Sequence, residues 1–302
     1  ILLTALFVPE SKAARARRPD PVGQILIIAM LGSLTFGIIE GPSYGWGSAR
    51  ILAFFAVAVL AVIGFLGYEP RRAEPLIDIR FFRSLPFSGA TLTAVSAMSA
   101  LGGFLFLITL YLQDVRGYRP LVAGLFLLPM AAAMAVGAPL AGRMLARSGA
   151  RAPLLIAGAG ITTGGILLTQ LTNSSGPGYL VIAFLVFGIG MGFVNAPITN
   201  SAVSGMPRSQ AGVASGIAST SRQVGSSLGV AVMGSLLAAN LHGSMDAGFA
   251  AATRPGWWII AAAGVVVIVL ALITTSRTGK ASAERTATLV AKAEEKVLVT
   301  SA

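Results

Sequence analysis

Cysteine is absent and histidine occurs once, as His242. The first absence excludes disulfides, thiol nucleophiles and thiolate metal sites. The second leaves no imidazole set for a metal, so neither metal nor cofactor is expected. Charge is scarce too, at 11% of 302 residues, where soluble domains carry roughly 25%. Acids are the scarcer sign, 11 against 22 basic residues. No acidic group joins His242 to form a catalytic constellation, and neither a G-x-x-x-x-G-K-[ST] phosphate loop nor an H-E-x-x-H pair occurs. The connections between apolar runs are also too short to hold a soluble catalytic domain, so the chain is read as no enzyme and no catalytic residue is assigned.

What fills the chain instead is apolar: 55% hydrophobic residues and a mean hydropathy of +0.81. Gly 36 and Pro 15 would weaken helices in water, yet both are frequent in transmembrane helices, where small residues let backbones approach. The net charge of +11 does not point to nucleic acid, because the basic residues come in short groups between apolar runs. The expected fold is therefore all-α, a polytopic membrane protein whose environment is lipid.

Gly142 to Arg151 (G-R-M-L-A-R-S-G-A-R) anchors the topology. No charged residue lies between Arg119 and Arg143, nor between Arg151 and Arg208, and roughly 20 apolar residues suffice for one crossing. The basic turn thus sits at a membrane face, and its three arginines mark that face as cytoplasmic. Counting outward gives eight crossings, near Val22–Glu40, Ile51–Gly67, Phe87–Leu112, Leu121–Leu145, Pro153–Leu171, Tyr179–Val203, Val213–Asn240 and Trp257–Thr275. Both termini then share one side. Basic residues divide 17 to 4 in favour of that side, with Arg222 left inside the seventh run. Residues 1–21 read as the end of a preceding helix and a basic connection, and 69–86 as a charged linker that either lies in the interface or is simply solvated. Residues 276–302 have too few apolar groups to pack and are expected to fray or stay disordered.

Polar residues inside the apolar runs carry the functional signal. Arg222, in T-S-R-Q-V-G, fits a contact to substrate, ion or carboxylate, and equally fits snorkelling with a structural hydrogen bond; Gln223 accompanies it. Asn195 and Asn200 flank Pro197, which removes a helical donor and frees a carbonyl, so an irregular polar patch is expected there. Glu40, at the far end of the first run, fits either proton exchange or interfacial exposure. Gly188, Gly190 and Gly192 read as close-packing positions, and His242 as a surface residue.

These residues carry a family resemblance. The anchor resembles the cytoplasmic loop of the major facilitator superfamily, with Gly142, Arg147, Gly149 and Arg151 at matching positions. Ala146 stands where Asp is usual and Met144 where Leu is usual, the weaker form found in second halves of such transporters. Glu74–Arg83, Leu110–Leu125 and Ala211–Gly234 make the chain similar to the 14-helix drug:proton antiporters. The resemblance implies that 22–68 is an extra central helix pair, 87–275 a six-helix C-terminal bundle, and that an N-terminal six-helix bundle is the partner. It also implies proton-coupled export of amphipathic or cationic drugs at the cell membrane. The alternatives are a membrane assembly module that transports nothing and, more remotely, a polytopic enzyme.

Overall fold

The computed structural model describes residues 20–72, 79–204 and 211–300. The expected helix end at 1–8, the basic connection at 12–18, residues 74–78 of the linker and Arg208 lie outside them. Every expected apolar run is a helix: α1 Pro21–Tyr44, α2 Ala49–Tyr68, α3 Leu85–Leu110, α4 Pro120–Ser148, α5 Arg151–Leu168, α6 Pro177–Val203, α7 Ala211–Asn240 and α8 Met245–Thr274. Among the described residues, seven of these eight are long and apolar enough to cross a membrane. The eighth, α7, has the length but is interrupted by Arg222 and a series of serines.

Proline placement explains several boundaries. Pro21, Pro86, Pro120 and Pro177 stand in first turns, where the missing N–H costs nothing. Gly149, with φ of 77°, reverses the chain between α4 and α5, a left-handed geometry that glycine adopts without strain. The Gly142–Arg151 turn is accordingly tighter than its sequence implies. Gly142 to Ser148 continue α4, and two residues, Gly149 and Ala150, separate it from α5.

Helix α3 is the hub and packs against α6, α7 and α8. Phe104 stacks on Phe187 at 4.3 Å and meets Phe184 and Trp257 edge-on at 5.3 and 6.2 Å. All four rings are buried. Helix α6 is held between α4 and α5 with glycines on both faces. A Cβ on Gly188 would lie 2.6 Å from the Met130 carbonyl of α4, and one on Gly190 would lie 2.6 Å from the Ile161 nitrogen of α5. The helices α1 and α2 pack chiefly on one another, and α1 also lies along α7.

Two regions depart from expectation. Helix α8 begins twelve residues before Trp257, because Phe249, Ala252 and Thr253 are buried and the Thr253 hydroxyl donates to the Phe249 carbonyl at 2.9 Å. Asp246, Arg254 and Pro255 hide this turn in the sequence. The tail takes the helical alternative and packs, against the expectation that it has too few apolar groups to do so: α9, Arg277–Thr300, crosses the 3-10 turn Ile79–Arg83 and the start of α3. Ala283 and Thr286 are buried in that contact. Small residues suffice because the helices come close, which a count of large apolar groups does not register.

Candidate functional site

Successive helices alternate between two ends of the bundle, one marked by Gly149 and the other by Asn173. At 1.5 Å per residue, α7 is about 45 Å long and Arg222 lies about 16 Å from its Gly149 end. A hydrocarbon layer is roughly 30 Å thick, so this arginine falls well inside it. Asn195 stands about 12 Å from the same end of α6, at comparable depth on an adjacent helix. Asn200 is nearer the end. Glu40 is not part of this layer, since it lies about 28 Å along α1 from the Gly149 end.

Packing of α3 against α7 fixes the height and rotation of Arg222. One turn along, a Cβ on Gly225 would sit 2.5 Å from the Val95 carbonyl oxygen, and the Ser99 hydroxyl donates to the Gly225 carbonyl at 2.9 Å. The backbones therefore touch, and Arg222 is held at the edge of that seam, half-buried. Its Nη1 is enclosed and has no hydrogen-bond partner among the described residues. Buried polar atoms are nearly always paired, and a charged one left alone is costly.

Beside it, Gly212, Gly216, Ser219 and Gln223 are exposed. Their 4-3-4 spacing places them on one face of α7. Asn195, Thr199 and Asn200 are exposed on α6, and the Thr199 hydroxyl donates back to the Asn195 carbonyl at 3.2 Å. The bundle thus carries an open polar surface on two neighbouring helices, running from the Gly149 end up to the depth of Arg222. Such residues on a membrane helix face protein or a water-filled cavity rather than lipid. Arg147, Gly149 and Arg151 are exposed, and Gly142 is half-buried, at the Gly149 end.

Two other polar clusters escaped the sequence reading. Arg116 follows a π-helical turn, Tyr111–Val115. Its Nη1 donates to the carbonyls of Ser175 at 2.8 Å and Asn173 at 3.4 Å, and to the Tyr111 hydroxyl at 3.3 Å; Nη2 donates to the Tyr118 hydroxyl at 3.2 Å. The Asn173 side chain then donates to the Asp246 carbonyl. The flanking Tyr111 and Tyr118 were the available signal. The other cluster joins the Gly149 ends of α1 and α2. Buried Asp20 accepts from the Gly23 nitrogen at 3.0 Å and the Tyr68 hydroxyl at 3.3 Å, with Arg72 at 3.9 Å. Asp20 sits in a basic connection and reads there as just another loop charge.

The model of the Major Facilitator Superfamily matches residues 21–230. The chain belongs to this superfamily. It is 37% identical over 246 residues to the multidrug resistance protein Stp of Mycobacterium tuberculosis, covering 82% of this chain and 46% of Stp. It is 38% identical over 253 residues to the tetracenomycin C resistance and export protein of Streptomyces glaucescens, covering 83% and 47%. With the quinolone resistance protein NorB of Staphylococcus aureus the identity is 30% over 247 residues, covering 79% and 53%. The chain spans about half the length of the curated relatives it matches. It is a multi-pass membrane protein of this superfamily.

Proposed function

We propose that this chain forms the C-terminal part of a proton-coupled exporter of amphipathic or cationic drugs in the cell membrane. In this reading α3 to α8 make one six-helix bundle, α1 and α2 the extra central pair, and an N-terminal six-helix bundle completes the transporter. The Gly149 end, both termini and α9 face the cytoplasm. The names of the relatives, all three resistance proteins and one of them also an export protein, support the substrate class. The observation that carries the mechanism is the enclosed Arg222 Nη1 without a partner, beside the open polar faces of α6 and α7.

A guanidinium in that position has two uses. It can hold a carboxylate of the opposite bundle ionised, since a nearby positive charge favours the charged acid. It can also keep the cavity unattractive to a cationic drug until that carboxylate releases its proton. Asn195, Asn200 and Gln223 then supply neutral hydrogen bonds to substrate as the bundles rock about the site. The non-transporting module makes no demand on Arg222 beyond packing.

The test is export of a fluorescent cationic dye by the complete protein in inverted vesicles, across pH and at matched protein levels. Arg222→Ala is expected to lower export about tenfold or more, the effect of losing one charged hydrogen bond of about 1.5–3 kcal/mol. It should also move the pH dependence upward as the partner acid's pKa rises. Arg222→Lys should restore it only in part, because the planar fork is lost. Wild-type export with an unchanged pH profile in both variants would overturn the assignment.

A further inference from the structure

The 3-10 turn Ile79–Arg83 and helix α9 meet at the membrane boundary, and their contact is specific. Helix α3 starts at Leu85 and α8 ends at Thr274, so this level is where two apolar spans stop. Ser84 is placed to cap α3 but makes no side-chain cap bond. The hydroxyl of Ser282 in α9 takes that role and accepts from the Leu85 nitrogen at 3.0 Å. The bond brings the Ser282 side of α9 against the first turn of α3.

Residues 282, 285 and 289 recur at helical spacing and share one side of α9. Next to Leu85 that side therefore presents exposed Arg285 and then Leu289, which is 46% exposed. On the turn, Phe82 is 47% and Leu85 40% exposed, with Arg83 open between them. Glu284, the exposed acid of α9 whose side chain is described, lies about 135° around the helix from this line. Large apolar side chains and cations thus alternate along one strip, at the height where acyl chains give way to headgroups. Lys280 and Arg277, exposed on the outer face of α9, add positive field. Polar solvent accommodates the arginines but not Phe82, Leu85 and Leu289; lipid tails do the reverse; the headgroup boundary suits both.

We propose that Phe82, Arg83, Leu85, Arg285 and Leu289 form a docking strip for acidic phospholipid headgroups, which ties α9 and the linker to the bilayer surface. The strip is independent of Arg222 and of whether the complete protein exports drugs. Its occupant is an anionic lipid surface, because the apolar and cationic side chains must be satisfied together.

The absence of cysteine makes the test direct. Leu289→Cys, carrying a small fluorophore, is placed in the full chain and reconstituted in bilayer discs that contain brominated phosphatidylglycerol or brominated phosphatidylcholine at equal mole fraction. Phosphatidylglycerol is expected to quench several-fold more, with each arginine near the surface favouring it about fivefold at low salt. Added sodium chloride should erase the preference. Arg83→Gln with Arg285→Gln should abolish it, whereas the double lysine variant should keep it. Equal quenching by the two lipids, or none by either, would overturn the proposal. So would loss of quenching on addition of excess inorganic phosphate, which would mark a free-anion site, and so would protection of the cysteine from labelling in the complete protein, which would mark a protein partner. If the glutamine variant fails to fold, the salt dependence of the unsubstituted arginines decides.

Discussion

Gly225→Ala tests the seam on which the Arg222 site depends. The new methyl would lie 2.5 Å from the Val95 carbonyl oxygen, 2.9 Å from Val95 Cα and 3.1 Å from Met98 Cβ. Carbon contacts settle near 3.5–4.0 Å, so α3 and α7 must part by about 1 Å along this turn. The Ser99 hydroxyl bond to the Gly225 carbonyl, 2.9 Å long, stretches with it. Overpacking of this kind costs about 1–3 kcal/mol. Alanine returns about 1 kcal/mol of helix preference over glycine, which hides part of the cost in a single measurement.

Gly216→Ala supplies the control. It lies on the same helix, nine residues earlier, and a Cβ there meets nothing within 4 Å. Both substitutions gain the same helix preference, so their difference isolates the crossing. A difference of about 2 kcal/mol corresponds to about 3 °C in melting temperature for a chain of 302 residues. Thermal unfolding of both variants in the same detergent micelle, followed by loss of the monodisperse species, reads it out. Gly225→Ala is expected to melt about 1–2 °C below the parent, and Gly216→Ala at or slightly above it. Equal melting would show that α3 and α7 do not meet backbone to backbone here, and would remove the argument that Arg222 is rigidly held.

A cysteine at Ser148 is expected to resist an impermeant thiol reagent in intact cells, while one at His242 reacts; labelling of Ser148→Cys from outside would invert the orientation. Arg116→Ala should lower stability by about 2 kcal/mol, the scale of hydrogen bonds made by a charged group, and Arg116→Lys should recover less than half, since one ammonium cannot span the Ser175 carbonyl and the Tyr118 hydroxyl together. Melting curves at matched detergent decide it, and full recovery by lysine would reduce the fork to a point charge. Asp20→Ala removes the N-cap of α1 and should cost about 1–2 kcal/mol; unchanged melting would mean that the Tyr68 and Arg72 contacts do not hold the pair together.

Helix positions were legible because lipid-facing sequence has little freedom. Each of α1 to α6 begins and ends within a few residues of an apolar run bounded by charge, proline or glycine. The Met245–Arg254 turns of α8 were not legible, because Asp246, Arg254 and Pro255 mimic a loop while their helical partners Phe249 and Thr253 are buried by other elements. The packing of the tail was hidden for the same reason: burial of Ala283 and Thr286 depends on where α3 and the linker lie. At the site, the sequence isolated Arg222, Gln223, Asn195 and Asn200 as polar groups in apolar runs. It also set Glu40 at the far end of its run, and the direction of α1 puts that residue away from the other four. Arg116 and Asp20 were hidden among ordinary boundary charges, since the partners that tie them to other helices, Asn173, Ser175 and Tyr68, lie 48 to 59 residues away.

Arg116 and Arg222 show how the two kinds of membrane arginine differ. Placing an arginine at the centre of a spanning helix costs about 2.5–3.5 kcal/mol, and hydrogen bonds to a charged group each return about 1.5–3 kcal/mol. Arg116 stands at the helix end, where the cost is smallest, and donates four times to groups of its own chain; its account closes within the fold. Arg222 stands at depth, and its enclosed Nη1 has no such return among the described residues. The fold nevertheless positions its helix closely, with the Val95 backbone against Gly225 and the Ser99 hydroxyl donating to the Gly225 carbonyl one turn away. In the function proposed above, that unreturned cost is met by a group outside the chain, an acid of the N-terminal bundle or a substrate, and the Arg222 variants test it.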